Sequence, residues 1–131
     1  MSRLRHRLAL LVVVVLAVFA VAACGSSSGP AITKVDARTA VGMLQTHVVI
    51  DVRTPSEFAA QHIADAQNID VEAADFGTRI ASLDKAGKYL VYCHSGRRSG
   101  IAAQQMASAG FKNIVDGGAL ADLIAAGAPT Q

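Results

Sequence analysis

Cys93 opens the run Cys93-His94-Ser95-Gly96-Arg97-Arg98-Ser99, whose residue types suit nucleophilic chemistry. The apolar segment 88–92 (KYLVY) before it reads as a strand, and the Ala-rich segment 99–109 after it reads as a helix ended by Gly110. A loop between a strand end and the first turn of a helix directs several backbone N–H groups at its own centre. Gly96 lets that backbone curl without a Cβ clash, and Arg97 and Arg98 add fixed positive charge. A sulfur in such a loop is expected to ionise readily, because a helix N-terminus and nearby arginines both favour the thiolate. The same N–H groups would hold an incoming anion. An inert cysteine at the end of a buried strand is the plain alternative, and the Ser-Gly-Arg-Arg run weighs against it. Cys93 and His94 are adjacent and have no second cluster of ligands, so no metal and no cofactor are expected.

The elements that must position this loop alternate between strand and helix. Asp36 caps a helix expected over 37–44, and 47–52 (HVVIDV) has the β-branched, nearly all-apolar pattern of a strand buried on both faces. Thr54-Pro55-Ser56-Glu57 turns the chain into a short helix with Ser56 as its expected cap. A brief strand is expected over 65–69, and Phe76, Ile80 and Leu83 give helical spacing over 76–83. A last short strand (113–115) and a last helix (120–126) complete the pattern. Such alternation argues for a parallel sheet covered by helices on both faces, with ligands bound beyond the carboxyl ends of the strands. Two features lie at that edge: the cysteine loop and Asp51-Val52-Arg53.

The first 30 residues read differently. Arg3, Arg5 and Arg7 precede an uncharged apolar run over 8–23, which at 16 residues is short of the roughly 20 a spanning helix needs. These are the marks of a secretory signal, with an uncleaved anchor as the alternative. Val21-Ala22-Ala23-Cys24 resembles the lipobox of bacterial lipoproteins. That resemblance implies a signal peptide over 1–23 and a lipidated Cys24 as first mature residue. Two acyl chains would then hold the protein to the extracytoplasmic face of the cell membrane, each buried methylene contributing about 0.8 kcal/mol. Residues 24–30, ending Gly-Ser-Ser-Ser-Gly-Pro, read as a flexible tether, which leaves 31–131 for one folded domain.

Composition narrows the function classes. The chain has 131 residues and a formal net charge of +2, but setting Arg3, Arg5 and Arg7 aside leaves 9 basic residues against 10 acidic ones. A body of net charge −1 lacks the positive excess of a nucleic-acid binder. Two cysteines cannot build a disulfide framework.

Asp51–Arg53 with Thr54-Pro55-x-Glu57-Phe58, then His62-Ile63 and Ala66-x-Asn68-Ile69, resembles the N-terminal signature of rhodanese-like domains. Cys93-x-Ser95-Gly96-x-Arg98-Ser99 resembles their active-site loop, and Gly110-Phe111, Gly117-Gly118 and Gly127-x-Pro129 their C-terminal signature. The resemblance implies an α/β fold with a parallel five-stranded sheet and helices on both faces. It also implies a sulfurtransferase in which Cys93 carries sulfane sulfur as a persulfide. His94, Ser95, Gly96, Arg97, Arg98 and Ser99 would then bind the substrate, with Asp51 and Arg53 supporting the site and Glu57 and His62 organising the second loop. Arg97 falls at a position where charge tunes donor preference. The expected partners are a small anionic sulfur donor such as thiosulfate and a thiol or cyanide-like acceptor, and the chain is expected to act as a monomer. The sequence departs from the family pattern at Gln61 and Asp65, where glycine is usual, and in having no tryptophan in the last helix.

Two other functions are compatible with this reading. A phosphatase or arsenate reductase would use the same loop, but four residues separate Cys93 from Arg98, one fewer than in related cysteine phosphatases. The smaller loop suits a single sulfur atom better than a tetrahedral oxyanion. A non-catalytic, membrane-tethered module that binds a sulfur or redox partner is the third reading. The usual cytoplasmic thiols are scarce outside the cytoplasm, which keeps it open.

Overall fold

The computed structural model describes residues 31–131; the leader, Cys24 and the tether lie outside the described residues. The elements run β1 (Ile32–Lys34), α1 (Ala37–Met43), β2 (Val48–Asp51), α2 (Pro55–Ala60), β3 (Gln67–Asn68), α3 (Phe76–Ala81), β4 (Lys88–Cys93), α4 (Arg97–Ser108), β5 (Asn113–Ala119) and α5 (Leu120–Ala125). All strand pairs are parallel, and the sheet order is β1-β5-β4-β2-β3. The carboxyl ends of β2 and β4 therefore lie side by side, with Asp51 opposite Tyr92 and the Val52 N–H donating to the Tyr92 carbonyl at 3.0 Å.

β4 holds the centre because its sequence is apolar on both sides. Tyr89, Val91 and Cys93 face a core shared with Phe76 and Ile80 of α3 and Ala102, Ala103 and Met106 of α4. Leu90 and Tyr92 face the other core, with Ala40 of α1 and Leu120 and Leu123 of α5. Successive side chains of a strand alternate in direction, so the register of β4 aims Cys93 at the α4 side of the sheet. Leu123 of the last helix is fully buried in this second core.

Several elements differ from the sequence expectation, each for a local reason. Thr54, not Ser56, caps α2. Pro55 occupies the first helical turn, so the cap must precede it. Thr54 Oγ1 accepts from the Glu57 N–H at 3.4 Å, and Glu57 Oε2 accepts from the Thr54 N–H at 3.1 Å, a reciprocal capping box. β1 is an edge strand of 3 residues with little burial, and its apolar pattern is too short to register. α4 begins at Arg97 rather than at residue 99. β5 continues to Ala119 instead of stopping at Val115: its pairing with β4 slips by one residue at Gly117, and Tyr92 then lies opposite Gly118. The third strand is only Gln67–Asn68, because Asp65 sits in the left-handed region at φ 63°. Asp tolerates that conformation at a modest cost, which explains glycine as the family's usual choice there. Gln61 is extended (φ −170°), a conformation open to any residue, so losing glycine at that position costs nothing.

Candidate active site

Cys93 is the last residue of β4 and is wholly buried. After it the chain turns through His94 and Ser95, both exposed, to Gly96. Gly96 adopts φ 89°, a left-handed conformation that side chains disfavour, and it caps α4 without any side-chain hydrogen bond. In that conformation its N–H turns back and donates to Cys93 Sγ at 3.0 Å. The buried Ser99 hydroxyl donates to the Gly96 carbonyl at 3.0 Å and fixes the other side of the same residue. The first turn of α4 carries no acidic residue. The positive end of a 12-residue helix therefore stands beside the sulfur with no acidic neighbour of its own. An anion delivered to the sulfur would meet that helix end and the Gly96 N–H.

Arg98 takes a position that the sequence did not foretell. Its guanidinium forms a two-pronged pair with Glu57, Nη1 donating to Oε2 at 2.8 Å and Nη2 to Oε1 at 2.7 Å, and Nη1 also reaches Glu72 at 3.5 Å. The fork thus ties the first turn of α4 to α2 across 41 residues of sequence. Hydrogen bonding to Arg98 holds the Glu57 carboxyl down at about 2 against a usual 4.5, and the same contact raises Arg98. Glu57 is the residue whose importance the sequence understated, since it completes the α2 capping box and anchors Arg98 with one carboxylate. Its place three residues after a Thr-Pro helix start was the available signal. Arg97 is exposed, and none of the ion pairs among the described residues involves it. His94, Ser95 and Arg97 form the exposed part of the loop; Cys93 and Ser99 form its buried floor.

Asp51 and Arg53 lie at the same sheet edge but on the opposite face from the sulfur. Arg53 Nε donates to both Asp51 oxygens at 3.0 Å, its Nη2 donates to Oδ2 at 2.6 Å and to the Gln61 carbonyl at 2.7 Å, and its guanidinium covers the Tyr92 ring. Asn68 Nδ2 donates to the carbonyls of Asp51 and Arg53 at 3.1 and 2.8 Å. Both charged groups are nearly inaccessible, at 0% and 4% exposure, so the pair acts as buried scaffolding for the β2 end. Tyr92 shares that setting: burial pushes its phenol up, and its oxygen accepts from the Ile63 N–H at 3.0 Å. His62 stacks on Phe58 with ring centroids 3.7 Å apart, and its Nδ1 is 2.8 Å from the Phe58 carbonyl. The ring fastens the loop that follows α2.

A five-stranded parallel sheet with one cysteine at the carboxyl end of its central strand, held under a helix N-terminus, defines a cysteine-loop α/β protein. The model of the rhodanese-like domain matches residues 34–121, well over half of the chain, and the chain belongs to that family. It is 32% identical over 74 residues to the thiosulfate sulfurtransferase PspE of Escherichia coli, covering 56% of this chain and 71% of that one. It is 42% identical over 77 residues to the thiosulfate sulfurtransferase GlpE of Pseudomonas fluorescens, covering 56% and 68%. Among solved structures, a rhodanese-like domain from Anabaena superposes with a TM-score of 0.67 at 29% identity, covering 75% of this chain and 77% of the other. The fold expected from the sequence is the fold observed.

Proposed function

We propose that this protein is a sulfurtransferase that moves sulfane sulfur from a small anionic donor of the thiosulfate type to a thiophilic acceptor. The observation that carries the reading is the 3.0 Å hydrogen bond from the Gly96 N–H to Cys93 Sγ at the start of α4. The Cys93 thiolate attacks the outer sulfur of thiosulfate. A new S–S bond forms on Cys93, the S–S bond of thiosulfate breaks, and sulfite leaves with the bonding electron pair. The outer sulfur of the resulting persulfide then accepts an attack by cyanide or a thiolate, and the cysteine thiolate is regenerated as the leaving group. Two half-reactions through one covalent intermediate require ping-pong kinetics. The Gly96 N–H and the helix end stabilise negative charge at the sulfur in both halves. Arg97, exposed and outside the ion pairs, supplies positive charge at the rim for an anionic donor.

The relatives named as thiosulfate sulfurtransferases support the choice of donor. The short spacing from Cys93 to Arg98, four intervening residues, speaks against phosphoryl transfer, which needs a wider loop around a tetrahedral oxyanion. A binding module without catalysis would have no use for a thiol in this cradle. The lipobox-like Val21-Ala22-Ala23-Cys24 supports the further proposal that the domain works on the extracytoplasmic face of the membrane, held by lipid on Cys24. The test of the activity is thiosulfate:cyanide transfer by wild type and Cys93→Ser. Parallel double-reciprocal lines for the wild type and no turnover by the variant are expected; turnover by a folded Cys93→Ser protein would overturn the reading.

A further inference from the structure

Asp116 is one of the few charged residues buried in the domain, at 4% exposure, and the chemistry at Cys93 does not use it directly. It lies in β5, opposite Val91 of β4, immediately before the slip in register at Gly117. The slip needs glycine: a Cβ on Gly117 would lie 2.9 Å from Leu90 Cδ2 and 3.3 Å from the Val91 carbonyl. Asp116 Oδ1 reaches across the extra residue and accepts from the Gly118 N–H at 3.2 Å. Gly118, at φ 79°, in turn lies directly beneath the turn that holds the sulfur, its Cα 3.6 Å from where a Cβ on Gly96 would stand. The other carboxylate oxygen, Oδ2, lies 3.7 Å from the corresponding point on Gly100, in the first turn of α4. One carboxylate thus bonds the bulged strand beneath Gly96 and stands beside the first turn of the helix that Gly96 caps. α4 has neither a side-chain cap nor an acidic residue in its own first turn.

We infer that Asp116 is a positioning residue for the sulfur cradle: by pinning Gly118 under Gly96 it sets where the Gly96 N–H meets Cys93 Sγ. The inference rests on the sulfurtransferase reading for its consequence in catalysis, but its structural content does not. With Asp116 truncated, the bulge is free to relax, and Gly96 loses the surface that holds its left-handed turn in place. The N–H then leaves the sulfur, and the step in which charge moves onto or off that atom slows. Donor binding, which depends on the exposed rim, changes little. Asparagine keeps an oxygen at the Oδ1 position and preserves the bond to Gly118.

The test compares Asp116→Ala, Asp116→Asn and wild type as full chains by amide hydrogen exchange and thiosulfate:cyanide kinetics. In Asp116→Ala the Gly96 amide should exchange at least tenfold faster, while the Leu90 and Val91 amides in β4 stay within twofold of wild type. The same variant should lose about tenfold in kcat with KM for thiosulfate nearly unchanged, and Asp116→Asn should restore both properties. Unchanged Gly96 exchange in Asp116→Ala overturns the inference, as does an Asp116→Asn protein as impaired as the alanine variant. Should the alanine variant not fold, Gly118→Ala disturbs the same link from its other end, in open space but at a positive φ, and must raise Gly96 exchange alone. A wild type without sulfur transfer would refute the proposed activity, while the exchange data would still decide the role of Asp116.

Discussion

Glu57 shows how much of the site depends on a single side chain. Its carboxylate closes the capping box of α2 and receives both prongs of Arg98, so one residue couples the loop after β2 to the loop after β4. Arg98 and the cap hold its folded pKa at about 2, below the usual 4.5. A depressed carboxylate stabilises the fold above its unfolded value and loses that contribution as pH falls through the folded one. The window is therefore from about pH 4.5 down to about pH 2. Because the pair is partly exposed, solvent screening reduces its worth to about 1–2 kcal/mol. Denaturant unfolding of wild type should weaken across that window. Glu57→Gln should be less stable at neutral pH by about the same 1–2 kcal/mol, and flatter in acid. Equal acid sensitivity of the two proteins would show that the Arg98 pair is not the group that titrates.

At the scale of elements, the geometry at the sulfur comes from the joint between β4 and α4. Gly96 is the residue on which that joint turns. Gly96→Ala meets no close atom, its Cβ lying 3.6 Å from Gly118 Cα, so its cost comes from the backbone at φ 89°. That cost is about 1–2 kcal/mol in thermal or denaturant unfolding. A relaxed turn would also withdraw the N–H from Sγ, and sulfur transfer should fall by more than the stability loss alone would cause. A Gly96→Ala protein with wild-type turnover would separate the left-handed turn from the chemistry.

The same joint was legible in the sequence because strand, glycine and helix follow one another within a few residues. The apolar KYLVY run, the Gly96 hinge and the Ala-rich helix could be read in order, and so could the alternation that makes the sheet parallel. What the sequence withheld depends on residues distant in the chain. The pairing of the Arg98 guanidinium with Glu57 could not be read, because the two residues lie 41 positions apart. The last strand was expected to stop at Val115, and only its pairing with β4 shows that it continues through a bulge to Ala119. Asp51 and Arg53 were expected near the site. They reach its edge, but strand alternation turns them to the face opposite the sulfur, a parity that depends on the register of β2 against β4.

For the whole molecule, we propose separate tasks for the two cysteines: Cys93 to carry sulfur and Cys24 to carry lipid. Wild-type protein expressed in a bacterial host should incorporate labelled fatty acid and sediment with membranes, and Cys24→Ala should lose the label while keeping sulfur transfer. Undiminished label in Cys24→Ala would refute the anchor. Retained transfer in the unlabelled variant would show that sulfur transfer does not depend on lipid at Cys24. The central claim, that Cys93 is the sulfur carrier, is tested most directly by intact and peptide mass after brief exposure to thiosulfate without an acceptor. The account predicts a gain of one sulfur atom on the peptide bearing Cys93, release of one sulfite per protein, and loss of that sulfur on adding cyanide. A protein that keeps its mass and releases no sulfite would contradict it.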